Sequence, residues 1–245
     1  MSVFTTVGDA NLLAFKNSSR QLELISKKQD ILDSIATFHN LTPTSILFVG
    51  FSSFLFCQFA KEITVTDLSD EARAYLTEQN VKFKYIAEKD LAKHDKKFQV
   101  VVAVDEYFTY ADTDQEQRDK VVNICNLASE YVITTLRDYK NQDYKDREFS
   151  QPSLVHSGED TTIFLESHLW DFKERAHWNS IIYAISRAFN SLKTFGSFNR
   201  RTMYFKQLAN FSSVAGATDF LVHKNLMYKG LVKKNYEHVI TIKFD

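Results

Sequence analysis

The sequence predicts an α/β protein built on a mostly parallel sheet, and three observations lead to this fold class. Short apolar segments alternate with amphipathic helical segments between residues 18 and 135. The apolar segments are rich in Val and Ile, as buried parallel strands are. Three of these segments are followed directly by Gly50, Asp67 and Asp105, respectively. Right-handed crossovers between such strands place helices on both faces of the sheet.

Periodicity and turn residues then define each element. The predicted helices cover 18–38, 52–59, 70–79 and 114–129, with Ser52 or Ser53 as the cap of the second helix and Ser69 as the cap of the third. The predicted strands cover 45–50, 62–66, 82–86, 99–104 and 131–135. In an open sheet of this kind the ligand site lies beyond the carboxyl ends of the strands. The residues expected at that edge are Gly50, Asp67, Asp90, Asp105 and Arg137.

The second half of the chain follows a looser pattern. We expect an α-rich insertion over 138–200, with a short strand at 161–165 and a helix at 178–192. A helix at 202–214 and two adjacent antiparallel strands at 219–223 and 238–244 complete the chain. The expected organisation is one domain over 1–245, made of a helical lead-in (1–44), a cofactor-binding core (45–137), the insertion or substrate cap (138–200) and a closing part (201–245).

The net charge of −1 conceals an uneven distribution. Nine Lys or Arg residues lie between Lys193 and Lys243 against two acids, which gives +7 there and −8 elsewhere. This excess suggests an anionic partner such as a nucleic acid, although a solvated lysine-rich face explains it equally well. No apolar run reaches the ~20 residues that cross a bilayer, so we expect a cytoplasmic protein that does not enter a membrane. Neither Cys57 nor Cys125 has the spacing of a zinc ligand, and no metal is expected.

The segment Phe48-Val49-Gly50-Phe51-Ser52-Ser53-Phe54 and the acids that follow the later strands resemble the class I S-adenosylmethionine (SAM)-dependent methyltransferases. The resemblance covers residues 45–137 and the closing part of the chain. Its glycine-rich turn keeps Gly50, has Ser52 at the second glycine, and has Phe48 where the family carries an acid. Small residues are needed there because the backbone approaches the cofactor closely.

The resemblance implies SAM as the cofactor and assigns roles to single residues. It places Gly50 and Ser52 at the cofactor, Asp67 at the two ribose hydroxyls, Asp90 at the adenine amino group, and Asp105 where cofactor and substrate meet. From the residues alone, Asp67 could instead cap the helix beside Ser69, and Asp90 could lie in an exposed charged turn.

Candidate catalytic groups come from the sheet edge and from the insertion. Asp105 follows a strongly apolar strand, where an unpaired carboxylate would cost several kcal/mol. His168 and His177 lie in a stretch rich in Trp and acids, where either could act as a general base, or the stretch could be a surface cap. Lys28, Asp105 and Glu237 match three of the four Lys-Asp-Lys-Glu positions of ribose 2′-O-methyltransferases, but strand five offers no second lysine.

Three functions remain open from the sequence. The first is a SAM-dependent methyltransferase of unknown substrate, acting by proximity and desolvation at the sheet edge. The second is a catalytically silent protein that keeps the fold as a binding or assembly module, because a fold does not by itself bring activity. The third is an α/β protein that binds another nucleotide at the same edge.

Overall fold

A computed structural model describes most of the chain. The described residues are 12, 15–16, 21–54, 62–91, 98–141, 147–149, 152–157, 160–171, 177–185, 192–228 and 237–245. Cys57 and the predicted helix beyond residue 54 lie outside them.

The described residues form two sheets and six helices. The central sheet has seven strands: β1 (Ser45–Val49), β2 (Glu62–Thr66), β3 (Lys84–Ile86), β4 (Phe98–Ala103), β5 (Ala128–Leu136), β11 (Asp219–Tyr228) and β12 (Glu237–Lys243). The second sheet has five strands: β6 (Arg147–Phe149), β7 (Ser153–Ser157), β8 (Asp160–Trp170), β9 (His177–Ile185) and β10 (Leu192–Arg201). The helices are α1 (Gln21–His39), α2 (Gly50–Phe54), α3 (Asp70–Glu78), α4 (Glu88–Leu91), α5 (Asp114–Asn126) and α6 (Phe205–Val214).

The central sheet confirms the predicted fold class. Its strand order is β11-β12-β5-β4-β1-β2-β3, and the neighbours among β1 to β5 are parallel. The strand β12 runs antiparallel to both β5 and β11, as the two closing strands were expected to do. The register pairs Val49 with Thr66 and Thr66 with Ile86, so these strands end side by side.

Each face of the sheet packs a different set of elements. One face carries α1 and α3, where Leu32 and Leu76 pack with Phe48 of β1. The other face carries α5 and α6, and here Phe164 of the second sheet joins the same core as Val121 of α5. The second sheet therefore shares a hydrophobic core with the central one.

The insertion is a β-sheet, so its prediction as α-rich was wrong. Residues 178–185, which were expected to begin a helix over 178–192, belong to β9, and 192–201 form β10. The segment Ile181–Ile185 alternates between half-exposed and buried positions, with Ile182 and Ala184 fully buried. This period of two, in residues with high β propensity, favours a strand once β8 and β10 supply hydrogen-bonding neighbours.

No helix of the described residues is long and apolar enough to cross a membrane.

Candidate functional site at the carboxyl edge of the sheet

Three strands of the central sheet end in residues with left-handed backbone. Gly50, Asp67 and Asp105 follow β1, β2 and β4 with φ of 77°, 54° and 68°, and Glu106 continues the third turn with φ of 56°. This conformation suits glycine, and other residues adopt it at a cost of order 1 kcal/mol or more. Three non-glycine residues that bear this cost at one sheet edge indicate a functional site.

The Asp67 carboxyl group lies at the end of β2, between the ends of β1 and β3. Its residue is only 4% exposed. The cap of α3 is Ser69, whose Oγ accepts from the Ala72 backbone amide at 3.0 Å. The alternative in which Asp67 caps this helix is therefore wrong.

After β3 the chain enters α4, whose first residue, Glu88, lines a cavity of about 360 Å³ between α4 and α5. The cavity is lined by Glu88, Tyr107 and Lys120 among others. Burial raises the pKa of the Tyr107 phenol well above its ordinary value, and the charges of Asp67 and Glu88 add to the rise. Both carboxylates thus act on one buried phenol.

Lys28 of α1 is buried at the same edge. Its Nζ donates to the Tyr228 hydroxyl at 2.9 Å and lies 4.1 Å from the centre of that ring. Burial lowers the pKa of the Lys28 ammonium to about 8, although the carboxylates of Asp105 and Glu237 partly offset this. Thr135 lies between these two acids because its Oγ1 accepts from the Asp105 amide at 2.8 Å and donates to Glu237 Oε2. We call Lys28, Asp105, Thr135, Tyr228 and Glu237 the edge cluster.

The residue after Asp105 has contrasting surroundings. Both oxygens of the buried Glu106 carboxylate accept two hydrogen bonds each. Oε1 accepts from Arg137 Nε at 2.9 Å and from the Tyr139 hydroxyl at 2.6 Å. Oε2 accepts from Arg137 Nη2 at 2.6 Å and from Arg200 Nη1 at 3.2 Å. Four such bonds use the acceptor capacity of a carboxylate.

Arg200 extends this network into the insertion. Its Nη2 donates to the Tyr110 hydroxyl and lies 3.4 Å from Glu166 Oε1 on β8. Burial lowers the pKa of the Arg200 guanidinium, but Tyr110, Glu166 and Glu106 raise it by more, so the net change is upward. The other oxygen of Glu166 lies 3.2 Å from His168 Nε2. We call Glu106, Tyr110, Arg137, Tyr139, Glu166 and Arg200 the clamp.

The other predicted site residues are placed as follows. Asp90 lies half-buried in α4, and its amide donates to the Ala87 carbonyl at 2.9 Å. His168 is 1% exposed on β8, beside the clamp rather than the edge cluster. Ser52 lies in α2 and His177 begins β9, but both side chains lie outside the described part of the structure. Burial raises the pKa of the Cys125 thiol to about 12, which makes it a poor nucleophile.

The basic excess between Lys193 and Lys243 is only partly at the surface. Arg200 is fully buried in the clamp, and Arg201 pairs with Asp114 at 2.8 Å. Lys206 and Lys224 are exposed. Lys229, Lys233 and Lys234 lie outside the described residues. Lys243 lies 3.3 Å from Asp245, so at least three of the nine basic residues pair with acids of the protein itself.

No protein-family model matches the sequence, and no curated protein matches it significantly. Solved structures match over nearly the whole chain. SAM-bound CalS10, an amino pentose methyltransferase from Micromonospora echinaspora, has a TM-score of 0.68 at 10% identity, covering 91% of this chain and 92% of that one. The sugar N-methyltransferase KedS8 from Streptoalloteichus has a TM-score of 0.65 at 10% identity, covering 89% and 86%. A SAM-dependent methyltransferase from Clostridium acetobutylicum has 0.65 at 13% identity, covering 89% and 91%. The chain therefore has a class I methyltransferase-like fold.

Proposed function

We propose that this protein is a SAM-dependent methyltransferase that binds its cofactor across the ends of β1, β2 and β4. The observation that carries the proposal is the row of left-handed residues Gly50, Asp67 and Asp105, two of which are buried acids at the edge of a methyltransferase-like sheet. Open α/β sheets bind ligands at this edge. The structural neighbours are described as SAM-dependent, SAM-bound or sugar-methylating proteins.

The residues at the edge fit SAM in most respects. Gly50, at φ 77°, turns the chain directly after β1 and leaves no side chain between backbone and cofactor. Asp67 would accept from the ribose hydroxyls, and Asp90 or Glu88 from the adenine amino group. Phe48 is fully buried in β1, so the amino-acid end of SAM must be held by other groups. When bound, SAM supplies a methyl group activated by a positively charged sulfonium.

The edge cluster supports an amine as the methyl acceptor. Two carboxylates, Asp105 and Glu237, act on the ammonium of Lys28, so this edge favours positive charge. A protonated amine is a cationic ligand that such carboxylates would stabilise. Before it can attack, that amine loses a proton. Lys28 can accept that proton at Nζ in its neutral form, which predominates above its pKa of about 8.

His168 and His177 remain alternative candidates for the general base. His168 would act only if substrate reached the inner face of β8, because its side chain is buried there beside Glu166. A shift in the pH dependence of turnover in Lys28→Met, but not in His168→Gln, would favour Lys28 over His168.

Calorimetric titration with SAM and with S-adenosylhomocysteine tests cofactor binding. We expect Asp67→Asn to weaken SAM binding by about tenfold or more, because a charged acceptor of two hydrogen bonds is lost. Asp70→Asn is the matched control, since Asp70 is exposed at the start of α3 and pairs with Arg73. Absence of heat with the wild-type protein at high micromolar SAM would contradict the proposal. Equal losses of SAM affinity in Asp67→Asn and Asp70→Asn would show that Asp67 does not bind the cofactor.

The silent binding module is the second candidate function, and Phe48 in place of the motif's acid favours it. Incubation with SAM carrying a labelled methyl group and a panel of amino sugars separates the two functions. SAM binding without labelled product from any amine would favour the module.

A nucleic-acid partner would show binding that weakens steeply as salt increases. If binding is absent or insensitive to salt, Lys206, Lys224 and the remaining lysines form only a solvated surface.

A further inference from the structure

One guanidinium joins the insertion to the sheet edge. Arg200 belongs to β10 of the insertion and is fully buried. It contacts Glu106 and Tyr110 after β4 of the core, and Glu166 on β8 of the insertion. The guanidinium also lies 4.1 Å from the centre of the Tyr110 ring. Arg200 thus binds simultaneously to the insertion and to the segment that carries Asp105.

That segment is in an unfavourable backbone conformation. Asp105 and Glu106 are consecutive residues with φ of 68° and 56°. A pair of non-glycine residues in this region persists only where the surroundings hold them. The conformation matters because it sets the direction of the Asp105 side chain toward the edge cluster.

The contacts that hold this turn come from two parts of the molecule. From the core, Thr135 Oγ1 accepts from the Asp105 amide at 2.8 Å, and Arg137 and Tyr139 bind the Glu106 carboxylate. From the insertion, Arg200 Nη1 binds the same carboxylate at 3.2 Å. The two glutamates of the clamp balance its two arginines, so the guanidinium can lie fully buried without a net charge.

We propose that Arg200 is a positioning residue through which the insertion holds the Asp105–Glu106 turn and thereby sets the placement of Asp105 at the methyl-acceptor site. The insertion is then part of the site's geometry, and a displacement of β10 alters the site without contacting any ligand. The effect on ligand binding rests on the proposed function, whereas the effect on the turn does not.

Amide hydrogen exchange of the ligand-free protein tests the effect on the turn. We expect Arg200→Met to raise exchange of peptides covering 104–109 by about tenfold or more, with peptides of β1 and β2 unchanged. Arg201→Met is the matched control, because Arg201 is the next residue on β10 and pairs with Asp114 of α5 instead. Unchanged exchange at 104–109, a uniform rise across the protein, or the same local rise in Arg201→Met would each overturn the proposal.

A conservative series keeps the test decisive if Arg200→Met does not fold. Arg200→Lys retains a cation for Glu106 and should show a smaller rise at 104–109. Tyr110→Phe removes the hydroxyl that accepts from Arg200 Nη2 while keeping the ring. It should raise exchange in the same peptides, and unchanged exchange there would overturn the proposal.

SAM titration then tests whether the turn is coupled to the site. Compared with the wild-type protein, Arg200→Met should bind SAM about fivefold to tenfold more weakly, whereas Arg201→Met should bind it equally well. Equal SAM affinity of Arg200→Met and wild type, despite faster exchange at 104–109, would overturn the coupling. If the wild type binds no SAM, the proposed function fails, and the exchange measurement still decides whether Arg200 holds the turn.

Discussion

The edge cluster and the clamp bury charges at adjacent residues, Asp105 and Glu106, yet their electrostatics differ. In the clamp, burial lowers the pKa of Arg137, but Glu106, Tyr139 and Glu166 together outweigh it and the net change is upward. In the edge cluster, burial outweighs two carboxylates and lowers the pKa of Lys28 to about 8. The protein therefore stabilises the charged form of Arg137 in the clamp and destabilises the charged form of Lys28 in the edge cluster.

This difference separates a structural role from a chemical one. A network whose arginines stay protonated at every accessible pH holds a backbone in place, and these arginines transfer no proton. A buried amine with a pKa near neutral can change its protonation state when a ligand arrives, as catalytic groups do. Asp105 and Glu106 are thus neighbours in one strained turn with different roles. Glu106 binds the arginines of the clamp, whereas Asp105 acts on the titrating amine of Lys28.

The largest expected effect is on the clamp. Glu106→Gln leaves Arg137 and Arg200 buried without their shared carboxylate, and we expect it to lower the free energy of unfolding by about 3–5 kcal/mol. Denaturant unfolding measures this change. Asp70→Asn, which breaks an exposed ion pair, should cost less than about 1 kcal/mol. A similarly small loss of unfolding free energy in Glu106→Gln would show that the clamp does not stabilise the fold.

The second prediction concerns the titration of Lys28. Its pKa is about 8 in the folded protein and near 10.5 when unfolded, so between these values the unfolded chain binds the extra proton. The free energy of unfolding should therefore rise with pH across this window, by about 3 kcal/mol from this group, and Lys28→Met should lack the rise. The measurement compares wild type and Lys28→Met at about pH 7 and about pH 10. Parallel pH dependences of the two proteins would remove the distinction between edge cluster and clamp.

Local signals in the sequence were sufficient for the central sheet and its edge. Runs such as 100–104 are apolar and rich in Val, and the acids that follow two of the runs, Asp67 and Asp105, are visible without knowledge of the fold. The residues named from those acids, Asp67 and Asp105, lie buried at the edge as expected. Their ligand contacts remain a prediction.

The clamp and the strands of the insertion depend on contacts between residues far apart in the sequence, so local sequence signals could not predict them. Arg200 meets Glu106 across 94 residues of sequence, and nothing in the sequence near Arg200 indicates burial. Residues 177–185 satisfy the apolar content of a helix as well as of a strand, and pairing with β8 and β10 decides between them. The sequence did suggest Lys28 and Glu237, but it gave no reason to expect Thr135 between Asp105 and Glu237.

The smallest predicted effect supplies a pH-independent reference at the same edge. Ser69 follows Asp67 by two residues and caps α3 with a neutral hydrogen bond of 3.0 Å. Ser69→Ala should lower the free energy of unfolding by about 1 kcal/mol, as the loss of a helix cap does. Because no proton is gained or lost at a hydroxyl, the loss should be equal at about pH 7 and about pH 10, unlike that of Lys28→Met. A pH-dependent loss in Ser69→Ala would mean that disturbing the edge is enough to shift Lys28, and that the low pKa belongs to the edge as a whole rather than to the burial of one amine.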